Sequence, residues 1–86
     1  MRSLPQSIEA EQSVIGSMII DKNSIAKVME SLEEEDFYRD GHKAIYKAIL
    51  EMFRNDMAVD LVTLLEYLKS TNMPERAGGV TYITEL

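Results

Sequence analysis

The chain has 86 residues, 45% hydrophobic and 28% charged, with 4 Gly, 2 Pro and no Cys; this is enough for one folded domain and too apolar for a disordered segment. Fifteen acidic residues against nine basic ones leave a formal net charge of −6, which argues against a surface that grips nucleic-acid phosphates by itself. The lack of cysteine excludes a disulfide scaffold, a thiolate metal site and a cysteine nucleophile, and no apolar run approaches the roughly 20 residues that a membrane-spanning helix needs.

The opening, Met1-Arg2-Ser3-Leu4-Pro5, lacks the apolar core of a secretory signal, so the expected location is cytoplasmic. A first helix is predicted after Pro5. Ser7 can cap it, and Glu9 and Glu11 carry negative charge where the helix dipole favours it. Ala10, Val14 and Met18 form one row, flanked by Ile8, Ile15 and Ile19, which gives a broad apolar face. Gly16 interrupts this helix at a cost of about 1 kcal/mol relative to Ala, which suggests close approach by another helix.

Asp21-Lys22-Asn23 breaks the pattern, and Asn23 or Ser24 is the expected cap of a second helix with the stripe Ile25, Val28, Met29, Leu32. The acidic run Glu33-Glu34-Glu35-Asp36 ends it and reads as a solvated connection. Phe37 and Tyr38 follow as two aromatics expected to plug the edge of the core. The longest predicted helix covers residues 41–55, with His42, Ile45, Tyr46, Ile49, Leu50 and Phe53 on one face and Lys43, Lys47, Glu51 and Arg54 on the other.

Asp60 can cap a fourth helix with the buried row Leu61, Leu64, Leu65, Leu68; Thr63-Leu64-Leu65-Glu66 also fits a capping box, which leaves the start open by three residues. Pro74 and Gly78-Gly79 mark a further loop. Val80 to Leu86 contains strand-favouring residues, yet a lone strand cannot satisfy its own backbone, and Val80, Ile83 and Leu86 are helically spaced. It is read as a fifth helix. The expected fold is therefore all-α: a compact bundle of about five short helices over residues 1–86.

No motif in the chain carries chemistry. There is no Gly-Lys-Ser/Thr phosphate loop, since Gly78-Gly79 leads into Val80-Thr81. His42 is the single histidine and lies on the apolar face of the long helix, where a packed, hydrogen-bonded role is expected over a catalytic one. The acidic run lacks the alternation and the glycine of a calcium loop. Met18, Met29 and Met52 fall in or beside apolar stripes, where methionine fills gaps. These features describe a small acidic helical domain with no catalytic, cofactor or metal site, which acts through contact with other proteins.

Three stretches resemble one family. Pro5-Gln6-Ser7-Ile8-Glu9-Ala10-Glu11-Gln12-Ser13-Val14-Ile15-Gly16 is similar to its opening PxSxEAEQxVLG. Glu35-Asp36-Phe37-Tyr38-Arg39, followed by His42 and Ile45-Tyr46, resembles EDFYrxxHrxIf. Val59-Asp60-Leu61-Val62-Thr63-Leu64, with Gly78-Gly79 and Tyr82-Ile83-Thr84-Glu85-Leu86, resembles PVDxVTL…GGxxYLxeL. The family is the amino-terminal domain of bacterial replicative DNA helicases of the DnaB family. Ala58 stands where the family usually has proline, and Asp40-Gly41 where it has a proline-alanine type pair.

The resemblance implies the helical head of a helicase that continues into a helical hairpin, a linker and a motor. The intact protein would be a hexameric ring that unwinds DNA at the replication fork with ATP and magnesium. Its amino-terminal collar, a trimer of dimers, would receive primase and in some species a helicase loader. This domain would then be no enzyme itself and would self-associate weakly without the hairpin. Glu9 and Tyr82 are the candidate primase-facing residues; their structural alternative is a surface acid matching the helix dipole and a half-buried packing residue. Rival readings are a free-standing regulator without a motor and a small enzyme centred on His42.

Overall fold

The computed structural model describes residues 8–70. Four α-helices follow one another: α1 (Ile8–Ile20), α2 (Lys22–Ser31), α3 (Asp40–Arg54) and α4 (Leu61–Ser70), with a single 3₁₀ turn, Glu34–Asp36, between α2 and α3. There is no strand among the described residues, so the fold is all-α as the periodicity predicts. The Ser7 cap and the proposed fifth helix at residues 80–86 lie outside the described residues.

α3 is the hub. It packs against α1, α2, α4 and the 3₁₀ turn. Its buried residues are His42, Ala44, Ile45, Tyr46, Ala48, Ile49 and Met52. Of the predicted face, His42, Ile45, Tyr46 and Ile49 are buried and Leu50 and Phe53 are half-buried at its edge, while Ala44, Ala48 and Met52 broaden it, because neighbours flank α3 on more than one side. Ile15 and Met18 of α1, Ile25 of α2, and Leu64 and Leu68 of α4 meet that face in one core. Burying each of these side chains contributes roughly 1.5–3 kcal/mol.

The helix ends show local chemistry. Asp21, and not Asn23 or Ser24, caps α2: its carboxylate accepts from the backbone N–H of Asn23 at 3.0 Å. The cap therefore sits two or three residues earlier than expected, since α1 ends at Ile20 and Asp21 serves both as break and as cap. Asp60 caps α4. Its carboxylate accepts from the N–H of Thr63 at 3.0 Å, while the Thr63 hydroxyl accepts from the N–H of Asp60 at 3.0 Å and donates to the Ala58 carbonyl at 2.8 Å. Of the two possible starts the structure takes Asp60, with Thr63 as the reciprocal member of its box. Asp56, after α3, has φ 58°, a left-handed geometry that Asp tolerates better than most residues.

The connection between α2 and α3 departs from expectation. Residues 34–36 close into a 3₁₀ turn with a capping box between Glu33 and Asp36. Phe37 is buried and stacks at a tilt on Tyr46, with ring centroids 4.9 Å apart. Tyr38 is 64% exposed and does not plug the core. The chain is extended at Phe37, and neighbouring side chains on extended backbone point in opposite directions, so only one of the two rings can face inward.

A buried latch and candidate protein-contact surfaces

The most unusual polar feature is a pair that sequence reasoning missed. Glu11 of α1 and His42 of α3 are both fully buried. His42 Nδ1 lies 2.7 Å from Glu11 Oε1. The other carboxylate oxygen, Oε2, accepts from the N–H of Tyr38 at 2.6 Å, and Oε1 also accepts from the N–H of Arg39 at 3.4 Å. An ionised carboxylate can only accept, so the hydrogen of the pair sits on His42 Nδ1.

The pair has a clear physical task. Arg39 is the N-cap of α3 but provides no side-chain cap. Glu11 supplies negative charge at that positively polarised helix end from another helix. Burial pushes the Glu11 carboxyl up, but the His42 hydrogen bond, the N–H groups of Tyr38 and Arg39, and the His42 charge outweigh it, so its pKa falls below the ordinary 4.5. The expectation that His42 is a packed, hydrogen-bonded core residue holds. The reading of Glu11 as a dipole-complementing acid at its own helix start does not: its side chain faces inward and serves the start of α3. One signal was available, since Glu11 lies one turn before Ile15, on the face that carries Ile15 and Met18.

Tyr46 adds a second tie. Its hydroxyl donates to the Leu32 carbonyl at 2.7 Å, which joins α3 to the end of α2. Tyr67 of α4 donates to the Glu51 carboxylate of α3 at 2.5 Å. Among the described residues no buried side-chain polar atom lacks a hydrogen-bond partner. Nor do three or more His, Asp or Glu side chains among them converge as metal donors.

The outer face of α1 carries the candidate Glu9. This side chain is exposed and lines an open groove with Gln12, Ser13, Gly16, Ser17 and Ile20. Among the described residues α1 alone lines that groove, and Gly16 forms part of its floor. Ile20 at its end is 86% exposed. Tyr82, the other candidate, lies outside the described residues, so the two are not brought together here. A smaller cleft of about 150 Å³ opens between α3 and α4, lined by Ala44, Lys47, Ala48, Glu51 and Tyr67.

These contacts give physical meaning to the three motifs. The first supplies Glu11, and the second supplies the amides of Tyr38 and Arg39 with His42. The third supplies the Asp60–Thr63 cap. Within these stretches, Glu11, His42 and the amides of Tyr38 and Arg39 tie α1 to the start of α3, and Asp60 with Thr63 caps α4.

Comparison with known proteins agrees. The profile of the DnaB-like helicase N terminal domain matches residues 3–86. The chain is 43% identical over 82 residues to the replicative DNA helicase DnaB of Geobacillus stearothermophilus, covering 95% of this chain and 18% of that protein. It is 40% identical over 82 residues to DnaB of Rhodothermus marinus, covering 95% of this chain and 9% of that protein. The crystal structure of the N-terminal domain of DnaB helicase from Mycobacterium tuberculosis superposes with a TM-score of 0.89 at 40% identity, covering 94% of this chain and 59% of that one. The chain thus spans less than a fifth of the length of these two relatives. By profile, sequence and fold, the chain belongs to the DnaB-like helicase N terminal domain family.

Proposed function

We propose that this domain is a non-catalytic interaction and assembly module of a replicative DNA helicase that unwinds duplex DNA at the replication fork. In this reading it helps build the hexamer collar, docks primase and in some settings a loader protein, and works in the cytoplasm. The observation that carries it is the family match over residues 3–86, set beside the small share of the helicases that this chain spans.

The residues present do not suit ATP or magnesium. The sequence has no glycine-rich loop leading into Lys-Ser/Thr, and no three His, Asp or Glu side chains among the described residues converge as metal donors. No step of nucleotide chemistry is therefore assigned to these residues; in this proposal ATP and magnesium belong to a motor domain. A buried Glu11–His42 pair also offers no reacting atom to a substrate, because neither side chain is reached by solvent.

The exposed Glu9 and, by resemblance, Tyr82 are proposed as part of the primase-facing surface. The test is charge reversal of Glu9 and truncation of Tyr82 in the intact helicase that carries this domain. Weaker primase binding with unchanged thermal unfolding is expected. Unchanged affinity with normal folding would remove both residues from that surface.

A further inference from the structure

We propose that Tyr38 is the anchor of a contact with a basic surface of another protein, held ready by the buried carboxylate of Glu11. The inference rests on the reading of this domain as a docking module and adds to it a surface and a charge for the partner.

The three described tyrosines are used in two opposite ways. Tyr46 and Tyr67 turn their hydroxyls to partners inside the domain, the Leu32 carbonyl and the Glu51 carboxylate. Tyr38 does the reverse. Its backbone N–H is bound at 2.6 Å by a carboxylate from a helix 27 residues earlier, while its side chain is 64% exposed. Phe37 on one side is locked into the core against Tyr46. Arg39 on the other side starts α3. The ring is thus displayed from a backbone fixed before and after it.

Such a display lowers the cost of binding. A tyrosine on fixed backbone has two side-chain torsions to order when a partner covers it, and tyrosines are over-represented among the few residues that dominate protein interfaces. An isolated exposed aromatic needs no explanation. One whose backbone is pinned by a buried charge is a rigid platform.

The surroundings decide the partner's charge and do not themselves make the site. Residues 33–40 contain five carboxylates, Glu33, Glu34, Glu35, Asp36 and Asp40, against the single guanidinium of Arg39. Glu33, Glu35 and Asp40 are exposed. That field repels nucleic acid and anionic lipid and attracts a protein segment bearing Lys and Arg. A Lys or Arg over the ring face gains a further cation–π attraction.

The test uses the intact helicase that carries this domain, with purified primase of the same organism as the probe, at low and high salt. Tyr38→Ala is expected to weaken binding about tenfold, in the range of interface anchor residues, with unchanged thermal unfolding because the main-chain bond to Glu11 remains. Tyr38→Phe keeps the ring and stays within about twofold of wild type. Glu33→Lys with Glu35→Lys weakens binding at low salt and flattens its salt dependence. Wild-type affinity in Tyr38→Ala at both salts overturns the inference. If that result comes with binding lost in the Glu9 and Tyr82 variants, the docking reading stands and the Tyr38 contact alone fails; if the wild-type helicase does not bind primase, both fall.

Discussion

Glu11 of α1 and His42 of α3 are joined at 2.7 Å in a site where neither side chain meets solvent, and the same carboxylate also holds the N–H groups of Tyr38 and Arg39. One side chain thus ties the first helix to the entrance of the hub helix. Removing a partner from such a pair leaves the other uncompensated, which typically costs about 3–5 kcal/mol. Glu11→Ala is therefore expected to unfold the domain or to lower its urea midpoint strongly. An equilibrium denaturation curve indistinguishable from wild type would show that the pair contributes nothing net.

The same site sets a pH dependence. Glu11 has a folded pKa held below the ordinary 4.5, so the unfolded chain binds the proton more readily than the folded one. The stability it contributes is present above the unfolded value and is lost as pH falls through that value toward the folded one. Urea midpoints are expected to decline as pH drops from about 4.5 downward, with a shallower decline in Glu11→Gln. Parallel curves for the two proteins across that window would refute the assignment.

At the alkaline end the relevant group is Tyr46. Burial, then the nearby Glu33 charge, raises its phenol above the ordinary 10.0, with a smaller opposing effect from Arg54 and a further raising effect from Asp36. For a raised pKa the contribution is complete below the unfolded value and disappears as pH rises through the folded one. Tyr46→Phe removes the bond to Leu32 and is expected to cost about 1–3 kcal/mol at neutral pH, because the carbonyl is left without its donor. The variant should also lose less stability than wild type above pH 10.0, as read by chemical denaturation at neutral and alkaline pH.

Helix periodicity made most of this architecture legible in the sequence. The hub face His42, Ile45, Tyr46, Ile49 is read directly from residue spacing, because an amphipathic helix with one buried stripe repeats that spacing along its length. The Asp60 cap is equally local. What stayed hidden depends on contacts distant in sequence. Glu11 looks like any acid in a first helical turn until α3 is placed against it, since its partners lie 27 to 31 residues away. Phe37 and Tyr38 are chemically alike, and only the direction of the extended chain at this turn sends one inward and the other out. The three motif stretches carry the assignment to a family, yet their best-defined contacts maintain the fold, so they say little about which surface meets a partner.

Hydrogen exchange tests the display of Tyr38 without any partner. A residue with a 64% exposed side chain would normally have a fast-exchanging amide if it sat in a loose connection. Here the amide is bound to a buried carboxylate, so its exchange requires α1 to separate from the start of α3. Slow exchange at Tyr38 is therefore expected, comparable to amides within α3, while the amide of Ala58, in the exposed connection between α3 and α4, exchanges rapidly. Glu11→Gln replaces a charged acceptor by a neutral one and must place its amide group against His42 Nδ1, which weakens the hold. Under conditions where that variant stays folded, the Tyr38 and Arg39 amides should exchange faster while those of α4 keep their wild-type rates. Rapid exchange at Tyr38 in the wild-type domain would mean that the backbone beneath the ring is loose, and the tyrosine would then enter any interface without the advantage of a fixed platform.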